Sequence, residues 1–297
     1  PDLFREEKKM VALTLNTNLS SLNAQRHLDS VQSELGDTID RISTGVRIQA
    51  SKDGAAELTL TENIRADILV LEQGSKNLND GTAFVNISEG ALSAISAILL
   101  RLRSLAAQSA NGTISDVERV TTNIEYASSL QEMDRIVQTA EYNGAKLLDG
   151  SLAKSVATEN HTVLQLGVDT SAANQYDLND LLDIADQSTT ALGLNDSNIK
   201  TQGAALKALN DLTVAINQII HTRSRVGTAQ IRMLHAADNL TIQEETLTAA
   251  VSTIRDADLA EELTELTKNQ LLIQAGVAMV GQANLNPQAA LTLLEGV

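Results

Sequence analysis

The chain has no cysteine and no tryptophan, and its 297 residues include only two phenylalanines, three tyrosines and two prolines. Without cysteine there can be no disulfide and no thiolate metal site. Aromatics at 2% cannot pack a core with bulky rings, and they leave little for an aromatic binding platform. Proline is confined to Pro1 and Pro287, so no ring interrupts a helix between the ends. Positive charge is scarce as well, with 22 Lys and Arg against 38 Asp and Glu, a formal charge of −16. That balance argues against nucleic acid and anionic membranes as partners, since both need a basic face. No unbroken run of about 18 apolar residues occurs, so no membrane insertion is expected. Pro1 to Lys9 mixes acids and bases without an apolar stretch and does not read as a Sec signal.

Aliphatic residues, in contrast, are plentiful and regularly spaced. Ile64, Leu71, Leu78, Val85, Leu92 and Leu99 fall every seven residues, with Ile68, Ile95 and Leu102 on the adjoining positions. Leu212, Ile219, Val226, Met233, Leu240, Leu247 and Ile254 repeat in the same way. Leu259, Leu266, Ile273 and Val280 continue after a phase shift, joined by Leu263 and Val277. At the other end stand Leu15 and Leu22, then Leu28, Leu35 and Ile42 in a new phase. Spacings of three, four and seven place a seam on one helix face that other helices must cover. The two central segments predict coiled-coil helices of roughly 40 to 50 residues, on the order of 65 to 75 Å at about 1.5 Å per residue.

Breaks between these segments predict the rest of the architecture. Asn111-Gly112-Thr113 reads as a helix stop, and Ser115-Asp116 as the start of a third helix reaching about Thr139. Asn143-Gly144 is a tight-hairpin signal, and Thr162 to Val168 alternates as a strand does, which predicts a β patch near 143–182. Gln187 to Thr201 reads as a loop, and helix resumes near Ala204. Ser43-Thr44-Gly45 and Ser51 to Gly54 predict a non-helical spoke between a terminal helix and the longer central one. The shift at Asp256-Ala257-Asp258 sits at the matching place near the other end, so the two ends are expected side by side. The fold class is mainly α: a long antiparallel coiled-coil rod with a small β-hairpin patch. Residues 1–9 form an extension, 10–45 and 257–297 a terminal coiled-coil domain, and 46–256 the rod.

No catalytic or metal-binding constellation emerges. His27, His161, His221 and His235 are scattered, and the pairs Glu244-Glu245 and Glu261-Glu262 lie on amphipathic helices where solvated faces explain them. Arg101, Arg103 and Arg119 make too small a basic patch to outweigh the net charge. No cofactor, metal or enzymatic activity is expected. The terminal segments point to assembly instead. Leu271, Leu272, Ala278 and Met279 lie off the stripe of Leu259 to Val280, and a helix apolar on more than one side needs more than one neighbour. Subunit packing is therefore assigned to Leu15, Leu22, Leu35, Ile42, Leu259, Leu263, Leu266, Ile273, Val277 and Val280. A closed bundle that satisfies both seams internally is the alternative that periodicity leaves open.

Both ends carry more than periodicity. Met10-Val11-Ala12, Asn16-Thr17-Asn18, Ile42-Ser43-Thr44-Gly45-Val46-Arg47-Ile48 and Ala50 to Ala56 run in order through the first part. Gln108 to Thr113, Glu132-Met133-Asp134-Arg135 and Tyr142-Asn143-Gly144 come next. Toward the other end come Arg223 to Gln230, Arg255-Asp256-Ala257-Asp258, Gln274-Ala275-Gly276, Gln282-Ala283-Asn284 and Pro287-Gln288. In this order the motifs resemble bacterial flagellin, in a short form without outer variable domains. Gly54 stands where that family usually has an acid, and Glu57 where it usually has glycine.

The resemblance implies a structural subunit that polymerises into the flagellar filament for swimming motility. The terminal helices would form an inner tube and the rod a surrounding layer. It also implies secretion to the extracellular flagellum by the flagellar type III export apparatus with an export chaperone, and contact with filament cap and junction proteins. An innate immune receptor would bind a helical face carrying Arg101, Leu105 and Gln108, with Glu125 nearby. Alternatives are a hook–filament junction protein and a carbohydrate-binding surface homologue using Tyr126, Tyr142 and Tyr176.

Overall fold

The computed structural model describes the backbone of residues 18–295 and the side chains of residues 18–285. Among the described residues six α-helices and four short strands succeed one another. They are α1 (Leu19–Thr44), α2 (Ser51–Ala110), α3 (Asp116–Thr139), β1 (Glu141–Tyr142), β2 (Ala145–Lys146), β3 (Val163–Gln165), β4 (Gln175–Asp177), α4 (Leu178–Leu182), α5 (Gln202–Arg255) and α6 (Leu259–Glu295). The mainly α class with small antiparallel strand pairs is thus as expected. α5 runs to 54 residues, and the 60 residues of α2 include a non-helical break at Gly54 (φ 166°, ψ 91°), where the sequence places the end of the spoke; both helices are longer than their heptads alone indicate. The added turns carry core residues too, Leu105 and Ala106 at the end of α2 and Ala205 and Ala208 at the start of α5, whose small or off-heptad side chains a seven-residue count passes over.

Helix ends lie where short polar side chains and glycine can satisfy them. Asn18 caps α1 by accepting from the Ser21 N–H at 3.1 Å, and Gly45 ends the helix in the left-handed conformation at φ 71°. Ser115 and Glu118 form a reciprocal capping box at the start of α3. At the start of α6, the Asp258 carboxylate accepts from the Ala260 N–H at 2.8 Å. Asn143 and Gly144 both have positive φ, 50° and 81°, which makes the β1–β2 connection a type I′ hairpin turn. The expected single β patch is resolved into two separate antiparallel pairs, β1 with β2 and β3 with β4. No regular helix or strand interrupts 187–201.

The chain divides into two compact units, one holding residues up to Asn63 and from Ala249 onward, the other Ile64–Thr248. In the second, α2 and α5 run antiparallel. Glu89 accepts from Arg223 Nε at 2.9 Å, and Asn86 from Gln230 Nε2 at 2.9 Å, so numbers fall on one helix as they rise on the other. Leu71, Leu78, Val85, Leu92, Leu99, Leu212, Ile219, Val226, Met233 and Leu240 are all buried in one core, while Leu247 packs at its edge. Ile64 and Ile254, at the ends of their heptads, are half-buried. Tyr126, Leu130, Met133 and Val137 bring α3 into the same core. α2 contains a window long and apolar enough by mean composition to cross a membrane, although polar residues interrupt it and no unbroken apolar run occurs. Its stripe Leu92, Ile95, Leu99 and Leu102 is spent on this core.

The strands lie close against α2 because two glycines permit it. A Cβ at Gly74 would stand 2.1 Å from the Leu166 carbonyl oxygen, and one at Gly81 would stand 2.2 Å from a Leu164 methyl. Asn77, between them, donates from Nδ2 to the Gln165 carbonyl at 2.9 Å.

Candidate assembly surface

In the first unit α1 packs along α6. The spoke joins their ends: Val46 and Asp256 pair as an isolated antiparallel bridge. The Ala257 N–H donates to the Gly45 carbonyl at 2.9 Å, and the Arg47 N–H to that of Arg255 at 2.7 Å. Asp53 holds the loop before α2 by accepting from the Gln49 and Ala50 N–H groups, and these bonds lower its pKa. The two departures at 54 and 57 are matched to each other. A Cβ at Gly54 would meet a Glu57 carboxylate oxygen at 2.7 Å, so the glycine leaves the space that the displaced acid uses.

The structure separates the proposed packing residues into two groups. Leu35, Ile42, Leu266, Ile273 and Val280 are half-buried on the α1–α6 seam. Leu22, Leu259, Leu263 and Val277 are exposed, each by more than half of their surface. Leu15 and residues 1–9 lie outside the described residues. The break of phase after Leu22 has a simple origin. The seam of α1 runs Ser21, Ala24, Leu28, Val31, Leu35, Thr38 and Ile42, so Leu22 stands one position off it. On α6 the seam's second row is Glu262, Asn269 and Gly276 in place of Leu263 and Val277. A Cβ at Gly276 would lie 3.2 Å from a Leu28 methyl, so Leu28 seats on that glycine. Hydrophobic spacing could not reveal this row, because its members are polar or small. Leu19, Ile39, Leu271, Leu272, Met279 and Leu285 are exposed as well.

The expected receptor face is corrected at one position. Leu105 is 2% exposed and belongs to the core of the second unit, so it is not available on the surface with Arg101 and Gln108. Its i, i+4 relation to Arg101 is right, but the seam of α2 is wide enough to take Leu105 inward. Arg101 and Glu125 form an exposed pair, with Nε to Oε1 at 2.8 Å. Arg119 is not part of a basic surface patch. It is buried, and its guanidinium donates to the carbonyls of Ser109 at 2.7 Å and Asn111 at 2.9 Å, closing the end of α2.

Several polar anchors had no sequence motif. Asn123 Oδ1 accepts from the Ile199 N–H at 2.9 Å, Tyr126 shares a hydrogen bond with Ser197 at 2.6 Å, and Asp134 accepts from Thr189 N and Oγ1. Together they tie 189–199 to α3. All three tyrosines are engaged internally. Tyr126 is buried, Tyr142 packs edge-on to Phe84, and Arg232 lies over the Tyr176 ring.

His161 is held inside the β3–β4 region. Nδ1 meets Asp177 Oδ2 at 2.5 Å, and Nε2 meets the Val156 carbonyl at 3.0 Å. Both partners accept, so the doubly protonated ring fits this site. The Asp177 hydrogen bond accordingly raises the His161 pKa above its ordinary 6.5. A raised folded pKa gives stabilisation that is fully present below the unfolded value and is lost as pH climbs through the folded one. Amide exchange at Leu166 and Leu178, whose N–H groups bond to the Asn174 and Thr162 carbonyls across the strand pair, is expected to quicken as pH rises above about 6.5, after correction for intrinsic rates. In His161→Gln that extra pH dependence should vanish.

Comparisons with known proteins bear on this arrangement. Residues 15–153 match the bacterial flagellin N-terminal helical region, and residues 209–294 the bacterial flagellin C-terminal helical region. The chain is 36% identical to the flagellin of Bacillus subtilis (strain 168), over 95% of this chain and all of that one. It is 33% identical to the flagellar filament 30.7 kDa core protein of Treponema maltophilum, again over 95% and 100%. Among solved structures, a putative flagellar hook-associated protein from Vibrio parahaemolyticus shares the fold at TM-score 0.53 and 16% identity, covering 69% of this chain and 100% of that one.

Proposed function

Because the chain belongs to the bacterial flagellin family, it is a structural subunit of the flagellar filament, and we propose that α1 and α6 are the parts that pack between copies. The observation that carries this reading is the unfinished burial of the terminal pair. Its seam aliphatics are half-buried, while Leu22, Leu259, Leu263, Leu271, Val277 and Met279 stand exposed. Burying such surface is worth roughly 25 cal/mol per Å², and in a filament that gain offsets the entropy of ordering the helices.

The inner layer is assigned to 10–45 and 257–297 and the surrounding layer to 46–256, with the strand pairs of the second unit facing outward. The filament lies outside the cell on this reading. The type III export apparatus, an export chaperone, and cap and junction proteins are its other partners. An immune receptor would have Arg101, Gln108 and Glu125 to bind, without Leu105. The engaged tyrosines speak against the carbohydrate-binding alternative.

Electron microscopy under polymerising conditions tests the central claim. Full-length protein is expected to form filaments, and a chain lacking 1–45 and 257–297 to remain soluble and unassembled. Filaments from the truncated chain would remove the terminal helices from the interface.

A further inference from the structure

The seams of the two units are built on different plans. Between α2 and α5, Leu78, Val85, Leu92, Leu99, Leu212, Ile219, Val226 and Met233 are all buried. Between α1 and α6 the buried residues, among the described side chains, are polar: Ser21, Thr38, Glu262 and Asn269. Three of these four have partners. Ser21 Oγ donates to Asn284 Oδ1 at 2.7 Å, Thr38 Oγ1 to the Glu34 carbonyl at 2.8 Å, and Glu262 Oε1 accepts from Arg41 Nε at 2.8 Å. Asn269 differs. It is 1% exposed, and neither Nδ2 nor Oδ1 has a hydrogen-bond partner among the described residues. The second carboxylate oxygen of Glu262, one heptad earlier, is unpartnered too.

A buried amide without partners opposes pairing of the helices that enclose it. In coiled coils a core asparagine is ordinarily kept because it selects register. Here register is already set at the spoke, by the Ala257 to Gly45 and Arg47 to Arg255 bonds and then by Arg41 with Glu262. Asn269 lies two turns further along α6, between Leu266 and Ile273, and makes no hydrogen bond that a register could choose. What it contributes to the isolated pair is cost.

We infer that Asn269 is the positioning residue that keeps α6 from closing stably on α1 in the free subunit, so that ordering of the pair is deferred until neighbouring copies cover the half-buried aliphatics. The later step, ordering among neighbouring copies, rests on the filament reading. The effect of Asn269 on the free subunit stands alone.

The experiment uses full-length protein held below its critical concentration, with Asn269→Leu, Asn269→Val and Asn269→Gln beside wild type. Amide hydrogen exchange is monitored across residues 262–285. The Leu and Val variants are expected to exchange at least tenfold more slowly than wild type, and the Gln variant, which keeps the amide, at the wild-type rate. In unseeded polymerisation the Leu variant should show a shortened lag. Unchanged or faster exchange in both apolar variants overturns the inference, and so does equal slowing in the Gln variant, since that would make side-chain volume the cause. Loss of the filament reading has a different signature: wild type forms no filaments, while the exchange contrast in the free subunit persists.

Discussion

Glutamate at two exposed aliphatic positions of α6, Leu263→Glu with Val277→Glu, is expected to raise the critical concentration for filament growth at least a hundredfold. Both side chains are more than half exposed in the single chain, so the monomer has little packing to lose there. Surface exchanges of this kind stay within about 0.5 kcal/mol, and the melting curve of the monomer should not move. In the filament the same positions would place carboxylates between apolar faces. Desolvating an unpaired carboxylate costs several kcal/mol. A hundredfold change requires only about 2.7 kcal/mol, so the expectation is a modest one. Sedimentation at graded concentrations reads it directly. An unchanged critical concentration would remove this face of α6 from the interface, while the half-buried seam residues would remain to be tested.

Arg119→Ala is expected to destabilise the second unit by about 2–4 kcal/mol. The Asp116 ion pair contributes little of this, because that carboxylate is 78% exposed and well solvated. The loss comes from the Ser109 and Asn111 carbonyls, which the buried guanidinium satisfies at the end of α2. Removing the donor leaves the buried Ser109 carbonyl unsatisfied, at about 1–3 kcal/mol, and the partly buried Asn111 carbonyl adds a smaller loss. For a unit of this size the midpoint should fall by roughly 5–15 °C. Arg119→Lys keeps the charge but not the planar fork, and should recover only part of the loss. A thermal melt read by circular dichroism separates the three proteins. Equal melts for wild type and Arg119→Ala would show that these carbonyls find other partners.

Much of this architecture was legible in the amino-acid order. The core of α2 against α5 could be read because each turn of its seam has to be filled by an aliphatic side chain, which leaves a seven-residue rhythm that needs no partner to be visible. Local chemistry was legible for a similar reason. Ser115 with Glu118, Asn143 with Gly144, and Gly45 each meet a backbone requirement within a few residues. The terminal pair was only half legible. The row Leu266, Ile273 and Val280 announces itself, but Glu262, Asn269 and Gly276 do not, and Leu263 and Val277 took their place in a hydrophobic reading.

What the sequence alone determined is the class, the local caps and turns and the apolar seam of the central helices, since each arises from local propensity and from the period of a helix. Only the tertiary structure decided the direction in which ambiguous residues face. Leu105 turns inward, Arg119 closes a helix end, and the three tyrosines are tied up by Ser197, Phe84 and Arg232. Gly74 and Gly81 matter because Leu166 and Leu164, on and just beyond β3, lie against them. Asn269 reads in the sequence as one more polar residue on an amphipathic helix. Its burial without a partner exists only once α1 lies against it, because burial is a property of what surrounds a side chain and not of the side chain itself.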